Sequence, residues 1–494
     1  MIGGEDGLAK PSSFELTPQR VVDRRALRDI TSLRKREVSC DALHCDEWIA
    51  GRARTSSAGR KAYPRRLGAI PPPPQRHVEV MLINCKLMNC KLPAIALCVV
   101  LILGLMASAG HTDDRALALV GAKVYPSPTA APILDAVVIT SGGVITAIGG
   151  RGEIKIPPDA HVIDCSGKAI VAGFWNSHVH FTQTMWKNAA NASAGVLEAH
   201  MREMLTRWGF TTVWDLGSDP YNSLALRRRV ESGEVPGPQI RLTGLIFQKG
   251  GHPAYVPAEL QLPEASTPQE AARMARDELQ LGLDGMKLFT GSYMGNRPVV
   301  NMDAAVARAA VDVAHAQGKP VFAHPQNRTG VDVALAAGVD VLAHTIPTEP
   351  GYTTDELAQF KSQGTALIPT LSIWMSSSID PAVTEELVRS GGDQLKAFSA
   401  IGGLVLFGTD VGFFTFSDPS VELELMNRAL SETEILASLT TNPASYFKAG
   451  RKGRLEQGFD ADLVVLDGDP AANVRNFAKI VSTIRAGQVI YSKP

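Results

Sequence analysis

Short apolar runs alternate with amphipathic stretches over most of the chain. The amphipathic stretches, such as 302–318, 329–338 and 354–364, carry apolar residues at helical spacing and a glycine near the end. Strands that alternate with helices indicate parallel βα units. We count eight strands from this pattern, near residues 169–176, 211–217, 239–247, 285–290, 320–324, 339–345, 366–372 and 405–412. The pattern therefore predicts an α/β fold, a (β/α)8 TIM barrel, whose active site would lie at the C-terminal ends of the strands.

A different pattern lies on either side of this region. Residues 110–168 and 451–494 alternate apolar and polar positions around turn signals such as Ser141-Gly142-Gly143. We therefore expect a small composite β-sandwich domain formed by both ends of the mature chain, with the barrel at 169–450 between its two parts. Near the end of the barrel, Ser431 and Glu434 have the spacing of a capping box that opens a helix.

Polar residues recur where the predicted strands end. The first strand closes on His178 and His180, and side chains two apart in a strand point the same way. Four later strands end near other candidate ligands, which are Lys287, His324, His344 and Asp410. Imidazole and carboxylate suit Zn²⁺ and similar divalent ions. Each residue taken alone also has a structural explanation: a histidine on a sheet or in a core, a lysine that reaches out to solvent, or an aspartate that caps a turn.

As a set, these residues resemble the metal-dependent amidohydrolase superfamily. The resemblance extends from about residue 115 to the end of the chain and includes Gly250-Gly251-His252 and the run 458–467. Within the superfamily the sequence is most similar to the imidazolonepropionase-related group that includes Xaa-Pro dipeptidases.

The resemblance implies two divalent metal ions, with Zn²⁺ expected and Mn²⁺ or another ion possible. It assigns His178, His180 and Asp410 to one metal and His324 and His344 to the other. Lys287, carboxylated by CO₂, would bridge them, because burial and nearby positive charge lower a lysine's pKa and a neutral amine can take up CO₂.

The activity that the resemblance implies is hydrolysis of a C–N bond in an amide, a cyclic amide or a small peptide such as Xaa-Pro. Asp410 would be the catalytic acid and base: it takes a proton from a metal-bridging hydroxide and passes it to the leaving nitrogen. If Lys287 does not bridge, the alternative is a one-metal deaminase or an imidazolonepropionase-like hydrolase. A barrel that binds a ligand without catalysis is a further alternative.

Candidate substrate contacts lie in two loops. His252 and Tyr255 follow the third strand and Tyr293 follows the fourth, and barrel loops of this kind shape the substrate pocket. Asp215 closes the second strand, where it would either orient a metal ligand or make a purely structural hydrogen bond.

The first 109 residues differ from the rest. Residues 1–87 are basic, and we expect them to be disordered or an untranslated extension. Residues 88–109 have a basic start, an apolar core and Ala107-Ser108-Ala109, which predicts a signal peptide cleaved after Ala109 and a periplasmic or secreted enzyme. The alternative is an uncleaved leader that acts as a membrane anchor.

Composition changes this picture little. The formal net charge is −1, so we expect no nucleic acid partner. Contact with a membrane is expected only through an uncleaved leader, and a homo-oligomer is left open. The expected partner is a small-molecule or dipeptide substrate.

Overall fold

The computed structural model describes residues 115–258, 261–347, 351–375, 380–413 and 417–494. The basic extension 1–87 and the signal peptide 88–109 lie outside these residues and stay predictions.

None of the helices within the described ranges has the length and apolar character that crossing a membrane requires.

Parallel strands dominate the central part of the chain. Each strand pairs with the next along the sequence, which is the order that successive βα units produce. The strands are Phe174–Val179, Phe210–Asp215, Gln239–Gln248, Gly285–Phe289, Val321–Ala323, Val341–Ala343 and Ala366–Ile368, with the short Glu264–Ala265 beside the third.

The two outer strands of this sheet are both hydrogen-bonded to the segment 404–411. Leu406 donates its N–H to the carbonyl of Leu367 at 2.9 Å, and Ser177 donates to the carbonyl of Phe407 at 2.7 Å. Where the sequence predicts an eighth strand, the structure has isolated bridges, from Val405 to Leu367 and from Val411 to Val179. The sheet is therefore curled and parallel, and the mixed α/β fold is consistent with a TIM-like barrel.

Helices follow the strands, and the predicted end signals fall where they begin and end. Ser431 and Glu434 form the expected capping box, and Gly338 and Gly364 end two helices in the left-handed conformation. The helices are Ala194–Met204, Pro220–Glu231, Pro268–Gln280, Ala304–His315, Arg328–Ala337, Thr354–Gln363, Pro381–Ala400, Ser420–Met426, Glu432–Leu439 and Thr441–Tyr446, with 3₁₀ turns at Thr184–Trp186, Thr206–Trp208, Leu371–Met375 and Val474–Ala478.

The core of this region lies between the sheet and the helices. A single apolar cluster joins strand residues such as Val213 and Leu288 to helix residues such as Leu226 and Val311, all of them buried. Burial of apolar faces on both layers is the main favourable contribution to folding, and it holds the strand ends in fixed positions.

Both ends of the described chain contribute to a second sheet. Ala169–Ala172 pairs in parallel with Leu117–Val124 and antiparallel with Leu463–Leu466. The remaining strands are Ile133–Ser141, Val144–Gly150, His161–Asp164, Ile480–Arg485 and Gln488–Ser492, and a separate two-stranded pair joins Gly291–Ser292 to Val300–Asn301. The composite origin of this sheet agrees with the expectation, whereas the sandwich stays a prediction.

The predicted strand at 169–176 is in fact two strands in different sheets, divided at Gly173. A Cβ atom at Gly173 would lie 2.2 Å from Oγ1 of Thr211. The N–H of Gly173 donates to the carbonyl of Asp462 at 2.8 Å, whereas that of Phe174 donates to Gly209 at 3.1 Å. The chain therefore passes from one sheet to the other at the residue that has no side chain.

Candidate active site

His178 and His180 meet Asp410 where the first parallel strand ends. Their Nε2 atoms lie 3.2 Å apart. Oδ1 of Asp410 is 3.3 Å from Nε2 of His178 and 2.9 Å from Nε2 of His180. One ligand atom from each of the three residues lies within 4.8 Å of the others. Two imidazole nitrogens and a carboxylate oxygen that converge in this way fit the ligand set of a divalent cation.

A backbone carbonyl fixes the orientation of His180. Nδ1 of His180 lies 3.0 Å from the carbonyl oxygen of Gly217, so Nδ1 carries a hydrogen and Nε2 is the atom that faces the cluster. Asp215 lies 4.0 Å from the same Nδ1 and accepts hydrogen bonds from Gly217, Ser218 and Ser223. Asp215 therefore holds the loop whose carbonyl orients His180.

His344 is oriented by a threonine that the sequence did not indicate. Nδ1 of His344 lies 2.6 Å from Oγ1 of Thr370, and this hydroxyl donates to the carbonyl of Pro369 at 2.8 Å. Because the hydroxyl has one hydrogen, it accepts from Nδ1–H of His344. Nε2 of His344 therefore also keeps its lone pair, as a metal ligand requires.

His324 extends this group of imidazoles. The ring centroid of His344 lies 4.7 Å from that of His178 and 4.6 Å from that of His324. His324 stacks on Phe289, and its Nε2 lies 3.2 Å from Oε1 of Gln326, a second contact that the sequence did not indicate. The structure thus brings all four predicted histidines to one edge of the parallel sheet.

Lys287 is buried in the strand Gly285–Phe289, with 1% of its surface exposed. Burial lowers the pKa of Lys287 to about 7, and the charge of Asp410 acts in the opposite direction. A substantial share of the amine is then neutral at neutral pH. A neutral, buried amine beside several imidazoles has the chemistry that uptake of CO₂ requires.

Burial also sets the protonation of the histidines. It lowers the pKa of His178 and of His344 far below the ordinary value and that of His324 to about 3, and the charge of Lys287 adds to each effect. Burial acts in the same direction on His180, but the hydrogen bond and charge of Asp410 outweigh it, so the pKa of His180 is raised. The three neutral rings are ready to bind a cation, whereas His180 would release a proton on binding one.

The predicted substrate residues lie in loops beside this cluster. The N–H of Ala254 donates to the carbonyl of Tyr293 at 2.8 Å, which ties the loop of His252 and Tyr255 to that of Tyr293. Nδ1 of His252 lies 3.2 Å from the carbonyl oxygen of Pro253. The rings of Tyr255 and Tyr293 stack, with centroids 6.5 Å apart.

Phe413 is a residue near the site that sequence reasoning missed. Its ring lies 6.5 Å from that of His180 and 5.0 Å from that of Tyr255. An isolated phenylalanine gives no chemical signal, and its position three residues after Asp410 was the only indication available.

Comparison with known proteins agrees with this architecture. Residues 169–490 match the model of the Amidohydrolase family. This match covers well over half of the chain, and the chain belongs to the amidohydrolase family. It is therefore an enzyme that hydrolyses amide or related C–N bonds, and it fits the metal-dependent amidohydrolase superfamily.

The individual relatives reported below share only about a fifth to a quarter of their residues with this chain. The chain is 21% identical to an ochratoxinase of Aspergillus niger over 436 residues, which cover 78% of this chain and 88% of that protein. The structure of a prolidase candidate from Bifidobacterium longum has 25% identity and a TM-score of 0.65 over 76% of this chain and 94% of that one. The structure of a prolidase complexed with N-methylphosphonate-L-proline has 23% identity and a TM-score of 0.64 over 77% and 100%.

Proposed function

We propose that the enzyme is a two-metal hydrolase of amides, cyclic amides or small peptides. In this proposal His178, His180 and Asp410 hold one divalent ion, His324 and His344 hold the other, and Lys287 bridges them as its carbamate. The observation that carries the proposal is the convergence of Nε2 of His178 and His180 on Oδ1 of Asp410, at 3.3 and 2.9 Å. The neutral state that burial favours for His178, His324 and His344 supports it.

The metal ions, of which Zn²⁺ is the first candidate and Mn²⁺ the second, would polarise the scissile carbonyl and activate water. Asp410 accepts the proton of the attacking water and passes it to the leaving nitrogen, which breaks the C–N bond. Gly217 and Thr370 hold His180 and His344 in the tautomers that leave Nε2 free. The neutral amine of Lys287 would take up CO₂ and lose a proton, and the resulting carbamate would offer two oxygen ligands.

A dipeptide of the Xaa-Pro type is the first substrate class to try. Support comes from the similarity to a prolidase bound to a proline phosphonate and to a prolidase candidate. The similarity to an ochratoxinase extends the choice to amides outside the peptides. His252, Tyr255 and Tyr293 are the proposed substrate contacts, because their loops border the cluster.

Metal content per chain tests the proposal. The full chain is purified without chelator and with bicarbonate present, and its metals are measured by elemental analysis. About two ions per chain, with turnover of Xaa-Pro dipeptides or amides that chelation abolishes, is the expected result. Turnover that a chelator leaves unchanged would contradict the proposal.

A one-metal enzyme, of the deaminase or imidazolonepropionase-like type, is the second candidate. One observation favours it: among the described residues, the group with converging ligand atoms comprises only His178, His180 and Asp410. One ion per chain and an unchanged activity after Lys287→Ala are the results that this candidate predicts.

We further propose that the curled sheet closes as a (β/α)8 barrel spanning 169–450, supported by the hydrogen bonds of 404–411 to both outer strands. The segments 110–168 and 451–494 would then form the composite sandwich. A periplasmic or secreted location is proposed from the leader pattern of 88–109 alone. N-terminal sequencing of the exported protein tests it, with Gly110 as the expected first residue.

A further inference from the structure

Three aromatic side chains from three separate loops form one exposed surface, which we call the aromatic patch. It consists of Tyr255, Tyr293 and Phe413. Tyr255 lies at its centre: its ring centroid is 6.5 Å from that of Tyr293, with planes 10° apart, and 5.0 Å from that of Phe413, with planes 74° apart. These distances and angles are those of stacked and edge-to-face aromatic pairs.

The patch is open to solvent although it is apolar. The exposed fractions are 38% for Tyr255, 45% for Tyr293 and 43% for Phe413. Single exposed aromatic residues are common on protein surfaces, but a contiguous group of them marks a place where a ligand or partner binds.

One ring contact connects the patch to the metal-binding residues. The ring of Phe413 lies 6.5 Å from that of His180, at an angle of 65°. Phe413 therefore joins the patch to the metal-binding residues.

The position of the patch limits what it can hold. Its three rings present faces and edges with little polarity, so the group they bind is apolar and planar. Because Phe413 contacts His180 and Tyr255 packs on Phe413, we expect this group to lie on the acyl side of the scissile bond, within a few bonds of the carbon that is attacked.

We propose that the aromatic patch binds an aromatic ring of the substrate beside the scissile C–N bond, so that the enzyme prefers amides with an aromatic acyl or aminoacyl group. This inference rests on the proposed hydrolase function and adds the class of substrate to it.

The test uses the full chain loaded with metal and two matched pairs of substrates. These are Phe-Pro with Ala-Pro, and benzoylglycine with acetylglycine. The aromatic member of a pair should have a kcat/KM about two- to tenfold higher, since one favourable ring pair corresponds to roughly that range.

Leucine variants of the patch then assign the preference to these rings. Tyr255→Leu, Tyr293→Leu and Phe413→Leu should each raise KM for the aromatic substrate several-fold and so lower the ratio of kcat/KM between the aromatic and the aliphatic member of each pair. Tyr255→Phe keeps the ring without the hydroxyl and should keep the preference. Tyr221→Leu is the matched control, because Tyr221 is 67% exposed and lies in the helix Pro220–Glu231, outside the aromatic patch.

The outcomes separate this inference from the proposed function. Equal turnover of both members of each pair, unchanged in the leucine variants, overturns the aromatic preference and leaves the hydrolase intact. If no substrate is cleaved, calorimetric binding of benzoylglycine and acetylglycine decides. Tighter binding of benzoylglycine that Tyr255→Leu abolishes supports the patch and counts against the proposed reaction, whereas equal or absent binding overturns the patch.

Discussion

The hydroxyl of Thr370 lies 2.6 Å from Nδ1 of His344 and fixes which nitrogen of that ring carries hydrogen. Thr370 holds this position with a φ of 46°, a backbone conformation that is unusual for a β-branched residue. Strained residues of this kind persist where the surrounding structure determines them and are frequent at functional sites.

Replacement of Thr370 by valine should weaken metal binding. Valine keeps the shape of the side chain and removes the oxygen that accepts from Nδ1–H of His344. We expect a loss of about 10- to 100-fold in metal affinity, measured by competition with a chelator. Thr370→Ser retains the hydroxyl and should recover most of the affinity; a serine variant as weak as the valine variant would contradict this role.

Asp410→Asn should lower kcat by at least about 100-fold on a confirmed substrate, because an amide cannot accept the proton of the attacking water. The metal content of the variant, measured in parallel, separates a loss of proton transfer from a loss of metal. Asp393→Asn, on the exposed face of a helix, is the control and should behave like the wild type. Near-wild-type turnover of Asp410→Asn would rule out the proposed proton transfer.

Lys287→Ala should reduce the metal content from about two ions per chain towards one and abolish turnover, because the carbamate oxygens are lost. The exposed Lys396, changed to alanine, provides the control. Short-chain carboxylic acids added to Lys287→Ala should restore part of the activity if a bridging carboxylate is what the site lacks. An unchanged metal content and activity would favour the one-metal candidate.

Glu422 should make stability depend on pH. Its carboxylate accepts from the N–H groups of Leu371 at 2.9 Å and Ser372 at 2.6 Å. Burial nevertheless raises its pKa from 4.5 to about 7. Since the folded-state pKa is the higher one, the stabilising contribution is complete below pH 4.5 and is lost as pH rises towards 7.

Glu422→Gln has no charge to bury and should lack this loss. Between pH 4.5 and pH 7, the free energy of unfolding of the wild type relative to the variant should fall by about 3 kcal/mol. Chemical denaturation at several pH values measures the difference. Glu424→Gln, which removes a partly exposed carboxylate from the same helix, is the control variant, and a flat difference for Glu422→Gln would exclude the predicted titration.

The sequence carried strong signals for the strands and for the residues that converge at their ends. His178 and His180 follow an apolar run at a spacing of two, and a parallel strand necessarily points both side chains the same way. The division at Gly173 was not predictable, because apolar residues continue on both sides of it and the two sheets differ only in their distant partners.

The contacts that orient the metal-binding residues gave no sequence signal. The group that holds His180 is the carbonyl of Gly217, and every residue has a carbonyl. Thr370 and Gln326 are ordinary polar residues whose roles arise only when the chain brings them to His344 and His324. Phe413 likewise becomes a candidate site residue only through its contact with Tyr255, which is distant in sequence and adjacent in space.

The second sheet combines strands from both ends of the chain, so its two parts are synthesised at different times. Lys168 and Asp467 form an ion pair across 299 residues, so the ribosome makes the first partner long before the second. At about 5 to 20 residues per second, this interval lasts on the order of 15 to 60 s. Throughout it, Ala169–Ala172 presents an unpaired strand edge, the kind of surface on which nascent chains aggregate. Yield in a host cell should therefore depend on chaperones that shield the amino-terminal strands until Leu463–Leu466 emerges.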